Sequence, residues 1–216
     1  MVEGAFQVLR ALAHADPDHQ VASVAAATGI PRASVYRLLA QLEDAGAVEN
    51  RRGYWHLSTG LLQVSSEVEP LPGLRDTAAA VLQQLREHTG AMVSIVVPHG
   101  PDLVAVEMLP GRTPLPFPAR SGTTLPPGTA AGEVLGAPGP ATTPVVRARE
   151  GEDAERVMAG MSCFAVPVRA GGGAAALQIA TAPSVPARRY APVLRRAAAM
   201  VETALRPAGG SGPRPR

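Results

Sequence analysis

Four arginines stand in two short stretches of this 216-residue chain, Arg32 with Arg37 and the pair Arg51-Arg52. A guanidinium carries a planar fork of donors that fits phosphate oxygens and the O6/N7 edge of guanine. Arg32, Ser34 and Arg37 thus supply donors for phosphates or base edges, and Ala33 is small enough to let a backbone approach the bases. Tyr36 and Gln41 fall on the same face of the segment. Arg51 and Arg52 sit beside Gly53, where a turn would push them toward a phosphate or a narrow minor groove. Arg32, Ala33, Ser34, Tyr36, Arg37, Gln41, Arg51 and Arg52 form the candidate nucleic-acid surface.

Other reactive residue types are less suggestive. Cys163 is the single cysteine. It lies in an apolar run, where a buried, inert thiol is the ordinary role. His14, His19, His56, His88 and His99 are scattered, with no pair at i, i+4, so no metal site is expected. Gly171–Gly173 reads as a turn and not a phosphate loop, because no helix opening with Lys-Ser/Thr follows. Glu150–Glu155 reads as a solvated charge run, and Arg188-Arg189 and Arg195-Arg196 as a solvated helix face. Tyr54-Trp55 reads as packing against a core. No paired catalytic groups are found, so neither an enzyme nor a cofactor is expected.

The elements that must position the arginines follow from periodicity. Gly4–Ala15 repeats Phe6, Leu9, Leu12 and Ala13 at helical spacing, and Asp16-Pro17 ends it. Val21–Thr28 is a short helix closed by Gly29. Pro31 suits the first turn of the next helix, Arg32–Ala45, whose Val35, Leu38, Leu39 and Leu42 make one apolar face. Gly46 stops it. Ala47–Leu57 is a hairpin around Asn50–Gly53, and Gly60–Glu67 a short helix. Glu69–Gly73 is a linker by composition. Beyond it come a helix at Leu74–His88, strands at Met92–Pro98 and Leu103–Leu109, and extended chain at Pro110–Gly128. A short helix at Thr129–Leu135 precedes a loop at Gly136–Glu155. Strands at Cys163–Val168 and Ala175–Ala182 and a helix at Arg188–Leu205 complete the order, and a polar tail, Pro207–Arg216, is expected to be disordered.

Composition allows a packed core, with 46% hydrophobic residues, and the net charge of +2 does not announce a nucleic-acid partner. Met1–Ser66 holds five arginines against six acidic residues, a net charge of −1, so any such role rests on placement. All 20 basic residues are arginine, a mark of GC-rich coding. No apolar run approaches the ~18 residues of a membrane span, and no secretory leader is read at the N-terminus. With a lone cysteine, a cytoplasmic location is expected.

Helix, tight turn, helix and hairpin over Val21–Leu57 is the order of a winged helix-turn-helix. Val8–Leu12, then Gly29-Ile30-Pro31-Arg32-Ala33-Ser34-Val35-Tyr36-Arg37-Leu38-Leu39, then Leu42–Gly46 and Tyr54–Leu57 resemble the N-terminal domain of the IclR family of bacterial regulators. Leu74–Gly90 resembles the family's first effector-domain helix. Leu125-Pro126 with Thr129-Ala130-Ala131-Gly132 is similar to its LP…TAxGK segment, and Met161–Val168 to its Cys-bearing strand.

The resemblance implies an α+β chain. Its winged helix-turn-helix (1–58) is joined by a linker helix and linker (59–73) to a GAF-like α/β effector domain with an antiparallel sheet (74–206), before the tail (207–216). It implies an effector pocket at Thr129, Ala130, Cys163, Gln178 and Ala180, suited to a small organic acid at a helix start. Three departures stand out. Gln178 and Ala180 replace the usual serines, Glu133 takes the basic position, and the stretch from Leu135 to Cys163, where an acidic pocket residue belongs, is markedly short. Glu152, Asp153 and Glu155 lie in that stretch.

The implied partners are double-stranded DNA bearing a near-palindromic operator, a second copy of the chain in a homodimer or tetramer formed through the first helix, and a small organic effector, with no membrane. The expected function is a DNA-binding transcription regulator, a repressor more than an activator. Two alternatives stay open: a regulator without an effector, whose second domain serves association only, and a winged-helix module for protein contacts.

Overall fold

The computed structural model describes residues 2–136, 146–170 and 173–206. Gly171 and Gly172 of the expected turn, the tail at 207–216 and part of the expected loop at 136–155 lie outside the described residues. The chain divides into two compact units, Met1–Val68 and Glu69–Arg216.

The first unit packs three helices under a hairpin. α1 (Val2–Leu12), α2 (Gln20–Thr28) and α3 (Arg32–Asp44) contribute Val8, Leu12, Val24, Val35, Leu39 and Leu42 to one core, joined by Val48 of the hairpin. α1 begins and ends earlier than its periodicity implies. The Asp16 carboxylate accepts the Asp18 N–H and starts a 3-10 turn at Pro17–His19, which cannot continue an α-helix. Gly29 takes φ 71° and closes α2, its N–H bonding to the Ala25 carbonyl at 2.9 Å. Pro31 precedes α3 as its cap, and its carbonyl accepts the Ser34 and Val35 N–H groups. β1 (Val48–Arg51) and β2 (Tyr54–Leu57) pair antiparallel. Their two-residue turn needs positive φ at both positions, and Arg52 (56°) and Gly53 (90°) supply it. α4 (Gly60–Ser66) follows.

The second unit is a six-stranded antiparallel sheet in the order β5-β4-β3-β8-β7-β6. Its strands are β3 (Met92–His99), β4 (Asp102–Leu109), β5 (Thr124–Leu125), β6 (Gly151–Ala154), β7 (Ser162–Ala170) and β8 (Gly173–Thr181). Alternation along β3, β7 and β8 splits the apolar residues between two cores, one on each face. α5 (Leu74–Thr89) and α7 (Ala191–Ala204) cover one face through Leu74, Leu82, Leu194 and Val201. α6 (Ala130–Leu135) covers the other with Val134 and Leu135. The α+β class and the antiparallel sheet expected from the sequence are borne out.

Five expectations are corrected. Gly136–Glu155 is not wholly loop, because Gly151–Ala154 forms edge strand β6. It has no apolar period because polar bonds hold it. The Glu152 N–H donates to the Glu133 carboxylate, and the Asp153 carboxylate accepts the Arg156 and Val157 N–H groups. Glu150–Glu155 is therefore not simply a solvated run, since Asp153 is 3% exposed. Arg188 and Arg195 are not merely solvated: Arg188 bonds Glu152 at 2.8 Å, and Arg195 pairs with Glu150. The expected helix from Arg188 is split into a 3-10 turn, Ala187–Tyr190, and α7, with Pro192 at the start of the second piece. Leu71 of the compositional linker is buried in the second unit's core.

Candidate nucleic-acid interface and buried polar cluster

In α3, Val35, Leu39 and Leu42 turn inward, which leaves the opposite face to solvent. Arg32, Ala33, Tyr36, Arg37 and Gln41 are exposed there, and Ser34 is half-buried at the first turn. The eight candidate residues are thus split between one helix face and one hairpin end. The two arginines of the hairpin differ. Arg51 pairs with Glu49 at 2.5 Å, whereas among the described residues Arg32, Arg37 and Arg52 have no ion-pair partner. Positive φ at Arg52 places it at the apex of the turn, and the Asn50 side chain accepts the Gly53 N–H there at 2.9 Å. Tyr54 is exposed and Trp55 is packed against the core, so only the second of that pair has the structural role expected of both.

In the second unit, one sheet face brings Thr129, Ala130, Cys163, Gln178 and Ala180 together. Cys163 pairs in register with Ala180, and Ala165 with Gln178. Thr129 caps α6, its Oγ1 accepting the Gly132 N–H at 3.4 Å and donating to the Pro126 carbonyl at 2.9 Å. Gln178 Oε1 accepts the Ala131 N–H at 3.0 Å, inside the core. All five residues are buried. Two polar residues join them that sequence reasoning did not single out. Ser94 lies opposite Gln178 on β3, and Asp153 lies opposite Cys163 on β6. Asp153 was visible only as one of three nearby acids, because a strand of four residues without apolar alternation leaves no readable register. Burial foremost, and then the Asp153 carboxylate, push the Cys163 thiol up to about 12. Such a thiol is a poor nucleophile at neutral pH.

Glu133 bonds the Glu152 N–H and Arg156, and the same arginine lies 3.9 Å from Asp153. The Glu133 carboxyl is held below the usual range, first by the Glu152 N–H and then, against some desolvation, by Arg156. Arg156 also reaches the Gly128 carbonyl at 3.1 Å. The acid at the family's basic position thus has its own arginine, supplied from the chain after β6.

Residues 2–52 match the IclR helix-turn-helix domain model. The N-terminal unit is an IclR helix-turn-helix domain. The resemblance read from the sequence is borne out beyond this segment. The chain is 28% identical over 124 residues to the probable transcriptional regulator SauR of Cupriavidus necator, a match covering 56% of this chain and 49% of SauR. It thus spans about half the length of that curated relative. The fold is similar to that of the Thermotoga maritima IclR, with TM-score 0.68, 20% identity, and coverage of 94% of this chain and 98% of that one. It is also similar to an IclR homolog from Microbacterium hydrocarbonoxydans crystallised with 4-hydroxybenzoate, with TM-score 0.72, 19% identity, and coverage of 93% and 98%. Among the described residues, no helix is long and apolar enough to cross a membrane.

Proposed function

We propose that this chain is an IclR-type transcription regulator. It binds double-stranded DNA by laying α3 in the major groove, with the hairpin serving as a wing on the adjoining backbone. The observation that carries this reading is the exposed α3 face. Arg32 and Arg37 stand there unpaired among the described residues, within the segment that matches the IclR domain model. In this reading Arg37 reads a base edge, Arg32 and Ser34 hold phosphates near the helix start, and Tyr36 and Gln41 flank them. Binding is as a dimer on a near-palindromic site, with half-sites about one turn or a multiple of it apart. Exposed Val2 and Phe6, one turn apart on α1, support self-association through that helix. Occupancy of an operator by such a dimer represses by exclusion.

The test is binding of a labelled duplex, selected by the protein from a randomised pool, at two salt concentrations. Phosphate neutralisation makes affinity fall steeply with salt. Affinity that does not change with salt, or no binding at all, would leave the winged helix as a protein-contact module.

A second reading concerns control. The M. hydrocarbonoxydans homolog was crystallised with a small aromatic acid. Here the Ala131 N–H, which an acid could otherwise take at the start of α6, is already bonded to Gln178. This supports a regulator that answers to a less polar ligand or to none, with its second unit serving association. Stabilisation by several degrees in a thermal-shift screen of small carboxylic acids would overturn it.

A further inference from the structure

The hairpin of the first unit is held at one rung from both edges. Asn50 and Trp55 face each other in register. On the β1 edge, the Asn50 N–H donates to the Glu43 carboxylate of α3 at 3.2 Å. On the β2 edge, the side-chain amide of Gln20 makes two bonds to Trp55. Its Nε2 donates to the Trp55 carbonyl at 2.9 Å, and its Oε1 accepts the Trp55 N–H at 2.7 Å. A side-chain amide carries one acceptor oxygen and donor hydrogens in the planar arrangement of a peptide group. Gln20 therefore does for the outer edge of β2 what a peptide unit of a third strand would do, and it satisfies an edge that would otherwise be unpaired. Gln20 is the first residue of α2, the helix that precedes α3 in the helix-turn-helix.

We infer that Gln20 is a positioning residue for DNA binding: its amide fixes the angle of the wing against α3, so that Arg52 meets the backbone while α3 is in the groove. The inference rests on the DNA-binding reading above. A two-stranded hairpin alone is marginally stable, so its direction is set by what ties it to the domain. Glu43 ties β1 directly to α3, and Gln20 ties β2 to α2. With Gln20 gone, Glu43, the seating of Val48 and Trp55 in the core and the turn still hold the wing, but nothing polar fixes the outer edge of β2, and the phosphate contact is lost from an otherwise intact domain.

The experiment compares wild type, Gln20→Ala, Gln20→Met and Arg51→Ala/Arg52→Ala, and then combines Gln20→Met with the arginine pair. Methionine keeps the length and helix preference of Gln20 and removes both hydrogen bonds. Two readouts are taken: hydrogen exchange of the Trp55 amide in the free protein, and the slope of log affinity against log salt on the selected duplex. Both Gln20 variants are expected to lose Trp55 amide protection and to flatten the salt slope by about one, as the arginine pair does. The combined variant is expected to lose nothing more than the arginine pair alone. A Gln20→Met protein with wild-type salt slope, or a combined loss equal to the two single losses added, overturns the inference while leaving DNA binding intact. Absence of salt-dependent binding by the wild type overturns the DNA-binding reading itself, and this role for Gln20 with it.

Discussion

Asp153 faces Cys163 directly across the β6–β7 pair, and both side chains are buried. The carboxylate owes its place to the turn after β6, where it accepts two backbone N–H groups, from Arg156 and Val157. The thiol is kept protonated by burial and by its anionic neighbour. An unfolded cysteine ionises near 9, whereas the folded one ionises near 12. The folded state therefore holds the proton more tightly through that window, and this contribution to stability falls as pH rises from 9 toward 12. The chain has no lysine, so few other groups titrate there. Native Cys163 is expected to alkylate orders of magnitude more slowly than an unfolded thiol at pH 8. Cys163→Ala is expected to show a shallower alkaline loss of melting temperature than wild type. Fast labelling of the native protein would contradict both the burial and the role of Asp153.

Gln178→Ala removes the acceptor for the buried Ala131 N–H and opens a hole between α6 and β8. An unsatisfied buried donor costs ~1–3 kcal/mol, and the cavity adds to it. A urea midpoint clearly below that of wild type is expected. If the second reading of control holds, the same variant frees an N–H at the α6 start, and a small carboxylic acid should restore stability to it more than to wild type. Equal shifts in the two proteins would argue against Gln178 as the occupant of an effector position.

Gly132→Ala tests how closely α6 is seated. In an exposed helix interior, alanine is favoured over glycine by ~1 kcal/mol. Here a Cβ would stand 1.8 Å from the Pro127 carbonyl oxygen, which is backbone and cannot rotate away. The sign should reverse, with destabilisation of ~1–3 kcal/mol or more. Unfolding curves that show a gain would mean the turn before α6 yields easily.

At the DNA surface, Arg37→Ala should cost ~1–3 kcal/mol on the selected duplex and relax its sequence preference, if the side chain reads a base. Arg52→Ala should weaken all sequences alike and flatten the salt slope more than Arg51→Ala does. The reason is that Arg51 is partly spent on Glu49, while Arg52 stands at the turn apex. Anisotropy titrations on selected and scrambled duplexes separate these effects. Identical behaviour of the two wing variants would mean that the Arg51–Glu49 pair dissolves on binding.

Much of this protein was legible in its sequence because local rules acted alone. The apolar spacing of α3, the glycines at 29, 46, 53 and 90, and the alternation along β3 and β8 each depend on neighbours a few residues away. The arginines of the first unit could be placed on that basis, because a helix face and a turn apex are local properties. β6 could not, since Gly-Glu-Asp-Ala becomes a strand only when β7 lies beside it and Glu133 reaches its backbone. Nor could the buried acid opposite Cys163, the loss of a free N–H at α6 to Gln178, or the two-bond hold of Gln20 on Trp55, which lies 35 residues away. Each of these joins residues distant in the chain, and a single side-chain type carries no information about such a partner. The sequence by itself determined which surfaces were charged and which faces were apolar. Only the tertiary structure decided which arginines kept their charge unpaired, and which polar groups were consumed inside the fold.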